Sequence, residues 1–199
     1  MKRLFSAIAI FLFFTLSPSL LNGKEKSEHS TIIYHNLKVV LYPNEHRFTV
    51  EDTITIPKHF PSDFHFFLHA GLNPVSTTSD VKIISKITKK EDASVDFFTI
   101  KLHHDIKTFI LKYRGVIYHP IEQDGKEEAR GIKQTLGIIS EEGVYLEKES
   151  FWYPVFNKGL VSFNLQIELP PEWDAVSQGE RTLHIKERDG TKVRWESPE

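Results

Sequence analysis

The stretch Val161 to Leu169 constrains the fold more than any other part of the chain. Val161, Phe163, Leu165, Ile167 and Leu169 alternate with Ser162, Asn164, Gln166 and Glu168. Alternation with period two sets apolar side chains on one face of a β-strand and polar ones on the other. A slip of one residue would turn every apolar side chain to water, so such a strand needs a buried face and a fixed register. Pro170-Pro171 ends it, because proline has no N–H to give to a ladder.

The same period recurs along the chain. Leu37, Val39 and Leu41 alternate with Lys38, Val40 and Tyr42, and Pro43-Asn44-Glu45-His46 is a turn signal. Phe48, Val50, Ile54 and Ile56 alternate with Arg47, Thr49, Glu51, Thr53 and Thr55, and Asp52 is the one charge on the apolar side. The two runs predict a hairpin. Phe64, Phe66 and Leu68 predict another strand, and Val81 to Ile87 a weaker one. Phe98, Ile100 and Leu102, then His103-His104-Asp105, then Phe109, Leu111 and Tyr113 read as a second hairpin. Arg181 to Ile185 and Lys192 to Trp195 read as a closing pair around Asp189-Gly190. No window carries a helical stripe. Glu122 to Gln134 is charged, holds Gly125 and Gly131, and reads as a solvated loop. Many short strands separated by turn residues predict an all-β chain, either an antiparallel β-sandwich or a saddle-shaped pair of sheets.

The first residues read as an address. Lys2 and Arg3 precede an apolar run from Leu4 to Leu16, and Ser17, Pro18, Ser19, Asn22 and Gly23 follow. A basic start, a short apolar run and small residues near a cut site make a secretory signal peptide. The division expected is a signal peptide over 1–23, cut after Ser19 or Gly23, a short polar lead over 24–30, and a single β domain over 31–199. The competing reading is a retained N-terminal anchor, which Pro18 interrupts. The protein is therefore expected outside the cytoplasm, secreted or periplasmic. The chain has no cysteine, which excludes disulfides, thiolate metal sites and a cysteine nucleophile. Its net charge of −2 becomes −4 without Lys2 and Arg3, the wrong sign for a protein that neutralises phosphates, so no nucleic-acid partner is expected.

Candidate chemistry is sparse. The ten histidines invite a metal reading. His65 and His69 would share a strand face, but His103 and His104 are adjacent and would point to opposite faces. No spacing matches a zinc motif, and a structural role is the stronger reading. G-x-S-x-G and the glycine-rich phosphate loops are missing. Glu141-Glu142 and Glu147/Glu149 are carboxylate pairs that would need a cleft to become reactive. Trp152, Tyr153 and Trp173 offer an aromatic surface, with core packing the commoner use.

Several segments together resemble the N-terminal β domain of zinc aminopeptidases of the membrane alanyl aminopeptidase type, peptidase family M-one. Tyr34-His35-Asn36-Leu37-Lys38-Val39-Val40-Leu41-Tyr42-Pro43, with Phe48 to Pro57, is similar to that domain's opening hairpin. Phe64 to Leu72 resembles its next strand, and Leu146 to Phe156, with Trp152-Tyr153-Pro154, its late segment. Val161 to Pro170, followed by Glu172-Trp173-Asp174-Ala175-Val176-Ser177-Gln178-Gly179, resembles its strand, proline and Ser-x-Gly stretch.

The resemblance implies a non-catalytic domain that docks on a catalytic one and helps shape its substrate pocket. Members hold zinc through H-E-x-x-H, with the Glu as general base on bound water. Here no His is followed by Glu, and G-x-M-E-N cannot occur because the single Met is Met1. No catalytic residue, metal ligand or cofactor is therefore expected in this chain, and zinc is expected only in a catalytic domain absent from it. The expected partner is that metallopeptidase domain, separate or downstream, with this domain cut short at its C-terminus. In the family one or two polar side chains near the Trp152-Tyr153-Pro154 position reach the pocket for the substrate's amino terminus. The candidates beside the substrate are thus Glu147, Glu149, Trp152 and Tyr153. The family's Arg-x-x-Phe-Pro-x-x-Asp-x-Pro run is replaced here by Phe151-Trp152-Tyr153-Pro154-Val155-Phe156. The alternative function is a stand-alone envelope module that binds a polypeptide or glycan.

Overall fold

The computed structural model describes residues 31–88, 94–103, 105–120 and 135–197. The address segment 1–23, the lead 24–30, His104 and the loop read over Glu122 to Gln134 lie outside the described residues.

The strands are β1 (Ile32–Tyr42), β2 (Arg47–Thr55), β3 (Asp63–His69), β4 (Val75–Ser76), β5 (Val81–Thr88), β6 (Val95–Leu102) and β7 (Thr108–Val116). They continue with β8 (Ile138–Ser140), β9 (Gly143–Tyr145), β10 (Val155–Phe156), β11 (Leu160–Leu169), β12 (Glu180–Glu187) and β13 (Gly190–Glu196). A seven-stranded sheet has the order β12-β13-β11-β1-β2-β7-β4, a four-stranded sheet the order β10-β3-β6-β5, and β8 pairs with β9. The chain is all-β, as its periodicity predicts.

The first hairpin forms as read. Pro43–Glu45 make a 3-10 turn that His46 closes at φ 53°, its N–H donating to Pro43 O at 3.0 Å. Leu37, Val39 and Leu41 of β1 face inward with Phe48, Val50 and Ile54 of β2. Phe64, Phe66 and Leu68 of β3 and Phe98, Ile100 and Leu102 of β6 face them from the small sheet, and all belong to one core. The rings of Phe64 and Phe109 meet across that core at 6.1 Å between centroids. The closing pair β12–β13 also forms as read, with Glu187 opposite Gly190.

Three readings need correction. Phe98 to Tyr113 is not a hairpin, because β6 belongs to the small sheet and β7 to the large one. Both strands bury one face in the same core, and the segment between them crosses from sheet to sheet. Period two records an inward face and says nothing about which sheet supplies it. Second, the large sheet is mixed, because β1 and β11 run parallel, with Leu37 beside Leu165 and Val39 beside Ile167. A parallel pair needs a long crossover, and here the whole small sheet lies between the two strands in sequence. The approach is close at its start. Gly159 (φ +111°) leaves room where a Cβ would lie 2.8 Å from Thr31 O, and Leu160 N–H donates to that same oxygen. Third, only the second half of β11 is core. Leu165, Ile167 and Leu169 are buried, Phe163 is half-buried, and Val161 is 39% exposed.

Candidate functional site

The four sequence candidates lie on one connected stretch between β9 and β10. Lys148–Ser150 form a 3-10 turn, and Phe151 follows at φ 50°. Ser150 is buried; its hydroxyl accepts from Glu147 N–H at 3.1 Å and its own N–H donates to Glu147 O at 3.1 Å. Phe151 O accepts from His69 N–H at 2.7 Å, which pins the stretch to the end of β3. The backbone here is thus fixed by side chains and by the small sheet, as a site on a loop requires.

The structure sets the four side chains in different surroundings. The Glu147 carboxylate accepts from the Tyr145 hydroxyl at 2.8 Å, and this bond raises the tyrosine's pKa. Glu149 is exposed. Trp152 and Tyr153 are half-buried, their rings edge to face at 5.1 Å. Trp152 lines a cavity of about 370 Å³ with Val39, Leu41, Leu146, Ile167 and Trp173, and Asp174 stands on the same lining. Tyr153 packs on the same inner face of β1, against His35. Its pKa is raised, by burial first and then by the charges of Glu149 and Asp52.

Beneath this stretch lies a buried carboxylate, Asp52. It and His35 are fully buried, and His35 Nδ1 and Asp52 Oδ2 lie 2.7 Å apart. The His35 ring packs edge-on against Tyr153 at 5.5 Å and tilts against Phe156 at 5.8 Å. The remaining polar atoms, His35 Nε2 and Asp52 Oδ1, have no hydrogen-bond partner, nor does the buried Tyr113 hydroxyl. Burial raises the Asp52 pKa against the opposing pull of His35. Burial, then Asp52 and Tyr153, raise that of Tyr113 well above its usual value. The sequence signal for Asp52 was present, a charge on an apolar strand face. His35 gave none, since it precedes the run that carries the alternation.

Among the described residues the histidines of these pairs are held in other contacts. His65 is exposed, stacked on Phe97 and bonded to Thr99, while His69 is buried at the same strand's end. His69 Nδ1–H donates to Ala70 O, and its Nε2 meets His119 Nε2 at 2.8 Å. The two ring centroids are 5.1 Å apart, so the rings meet head-on in an N–H···N hydrogen bond instead of converging on a third point. His103 is exposed, 3.9 Å from Asp105. Among the described residues no group of three or more His, Asp or Glu is placed to hold an ion.

A second hollow, about 830 Å³, lies on the outer face of the large sheet. Lys38, Thr49, Glu51, Lys112, Arg114 and Gln166 line it. Glu51 sits between Lys112 (2.8 Å) and Lys38 (3.2 Å), which hold its carboxyl below the usual range.

Comparison with known proteins gives a fold. A two-domain M1 zinc metallopeptidase bound to L-tryptophan superposes with a TM-score of 0.51 at 13% identity, over 85% of this chain and 40% of that one. The fold is one found in M1 zinc metallopeptidases. An M1 zinc metallopeptidase from Deinococcus radiodurans matches at a TM-score of 0.47 and 14% identity, over 84% of this chain and 38% of its own. Aminopeptidase A of Legionella pneumophila, in complex with aspartic acid, matches at 0.46 and 13%, over 87% and 20%. The chain thus spans about two fifths or less of the metallopeptidases it resembles. No family model and no curated protein matches the sequence. Among the described residues no helix is long and apolar enough to cross a membrane.

Proposed function

We propose that this chain is the sheet-built, non-catalytic part of a secreted or periplasmic zinc aminopeptidase-like protein. It docks on a metallopeptidase domain and helps shape the pocket for the substrate's amino terminus. The observation that carries the reading is the shared fold with a two-domain M1 zinc metallopeptidase over 85% of this chain but only 40% of that protein. The segmental resemblance from Tyr34 to Gly179 agrees with it. Zinc and the water it activates belong to the partner domain. This chain's contribution is a rigid edge. In that role Glu149, exposed and held within the 3-10 turn, presents a carboxylate to a substrate ammonium, and Trp152 and Tyr153 supply the apolar wall behind it. A carboxylate paired with an ammonium in a partly dry pocket gains more than in open water.

The test is reconstitution. The purified chain is mixed with an H-E-x-x-H metallopeptidase polypeptide from the same organism, and release of N-terminal amino acids is followed. The reading predicts a complex and a raised kcat/KM, with Glu149→Gln raising KM by about 10-fold or more, the loss of a charged hydrogen bond. No complex with any such polypeptide contradicts it. A stand-alone binding module is the second reading, favoured by the outer hollow around Glu51 and Arg114. Peptide or glycan binding that Arg114→Ala abolishes in the chain alone would support that reading instead.

A further inference from the structure

We propose that the His35–Asp52 pair holds one proton in the folded core at neutral pH and acts as an alkali-sensitive latch for the stretch that carries Trp152 and Tyr153. This does not rest on the proposed function, since it concerns the core alone. The geometry has three parts. Both side chains are at 0% exposure and 2.7 Å apart, so the pair's charge has no access to water. The pair sits on β1 and β2 of the large sheet, while the rings that cover His35 are Tyr153 and Phe156, at the other sheet's edge. His35 therefore touches the stretch directly, beneath the candidate site.

The groups facing the pair are few. β7 contributes the Tyr113 hydroxyl, neutral and itself without a partner. The stretch before β10 contributes Tyr153, with Glu149 acting on it from outside. β10 contributes Phe156, and β11 places Phe163 beside His35 in the sheet. Among the described residues, His35 is the one cation that acts on Asp52. With one proton beyond the fully deprotonated state, the pair is net neutral, whether the charges are separated or the carboxyl is protonated. Without it, a net negative charge is left in an apolar enclosure, which is the costlier state. The raised pKa of Asp52 agrees with retention.

The sign follows from proton counting. Above about pH 6.5 an unfolded chain carries neither proton on this His and Asp. The folded pair still carries one. Stability is therefore fully present at lower pH and declines as pH rises, until the folded pair also deprotonates. The folded-to-unfolded ratio should fall about tenfold per pH unit over that window relative to a chain lacking the pair.

The experiment measures urea unfolding of the mature chain from about pH 6.5 to 9, beside Asp52→Asn and the apolar double variant His35→Leu/Asp52→Leu. The wild type should lose stability with rising pH more steeply than either variant. Amide exchange over residues 151–156, corrected for its intrinsic pH dependence, should rise with pH in the wild type and stay level in the variants. Equal slopes in wild type and variant overturn the proposal. A wild type whose stability is level over this range overturns it without any variant. A wild-type slope without faster exchange at 151–156 overturns the latch.

Discussion

A buried carboxylate with a single hydrogen bond is costly to keep, and Asp52 is such a group: among the described residues its Oδ1 has no partner, and His35 alone answers its charge. Truncating the partner is worse than removing both. His35→Ala should cost about 3–5 kcal/mol in urea unfolding near neutral pH, because it leaves a buried charge uncompensated. A cost below about 1 kcal/mol would mean that the carboxyl is already neutral and indifferent to its neighbour. Glu51 is the contrasting case. Its carboxyl is held low by Lys112 and Lys38 but is about a third exposed, so water screens the pair. Glu51→Gln should cost about 0–1 kcal/mol at neutral pH, and less in high salt. The sign is that of a depressed acid: the contribution exists above the ordinary glutamate range and disappears as pH falls through the folded value. Urea midpoints at low and high salt check it, and a cost unchanged by salt counts against an ionic origin.

At the scale of the strand, burial decides what a substitution does. Leu165 is buried on β11 and pairs beside Leu37, so Leu165→Asp should abolish folding. Ser162→Asp, on the other face and near the exposed start of the strand, should shift the melting temperature by only a degree or two, within about 0.5 kcal/mol. Equal effects in thermal melts would refute the facing of this strand. Phe163→Asp should fall between them, since Phe163 is half-buried. That grading was not legible in the sequence, where Val161 to Leu169 alternates without a break. Alternation reports that a face is turned inward, and what packs on that face decides how much of it is covered. For the same reason β1, β2, β3 and β6 were legible as strands, while the crossing between β6 and β7 and the parallel β1–β11 pair were not. Both depend on partners far apart in the chain. The two- and three-residue strands β4, β8, β9 and β10 are too short to show any period. Of the site, Glu147, Glu149, Trp152 and Tyr153 were found on one stretch through family resemblance, but only Tyr153 lies against the buried pair.

For the whole molecule, the described residues build two sheets around one aromatic core, and several of their histidines are engaged in hydrogen bonds to a carboxylate, to backbone carbonyls, to threonine hydroxyls and to each other. Such a framework positions side chains well. It offers no cluster of three ligands for the ion that an aminopeptidase needs. In the proposed reading the water-activating chemistry sits on another domain. The most direct check is an assay of the purified mature chain for release of amino acids from peptide substrates, with zinc added and bound metal measured by elemental analysis. We expect substoichiometric zinc and no hydrolysis above the buffer rate until a metallopeptidase polypeptide is supplied. One equivalent of zinc together with turnover by the chain alone would contradict the account.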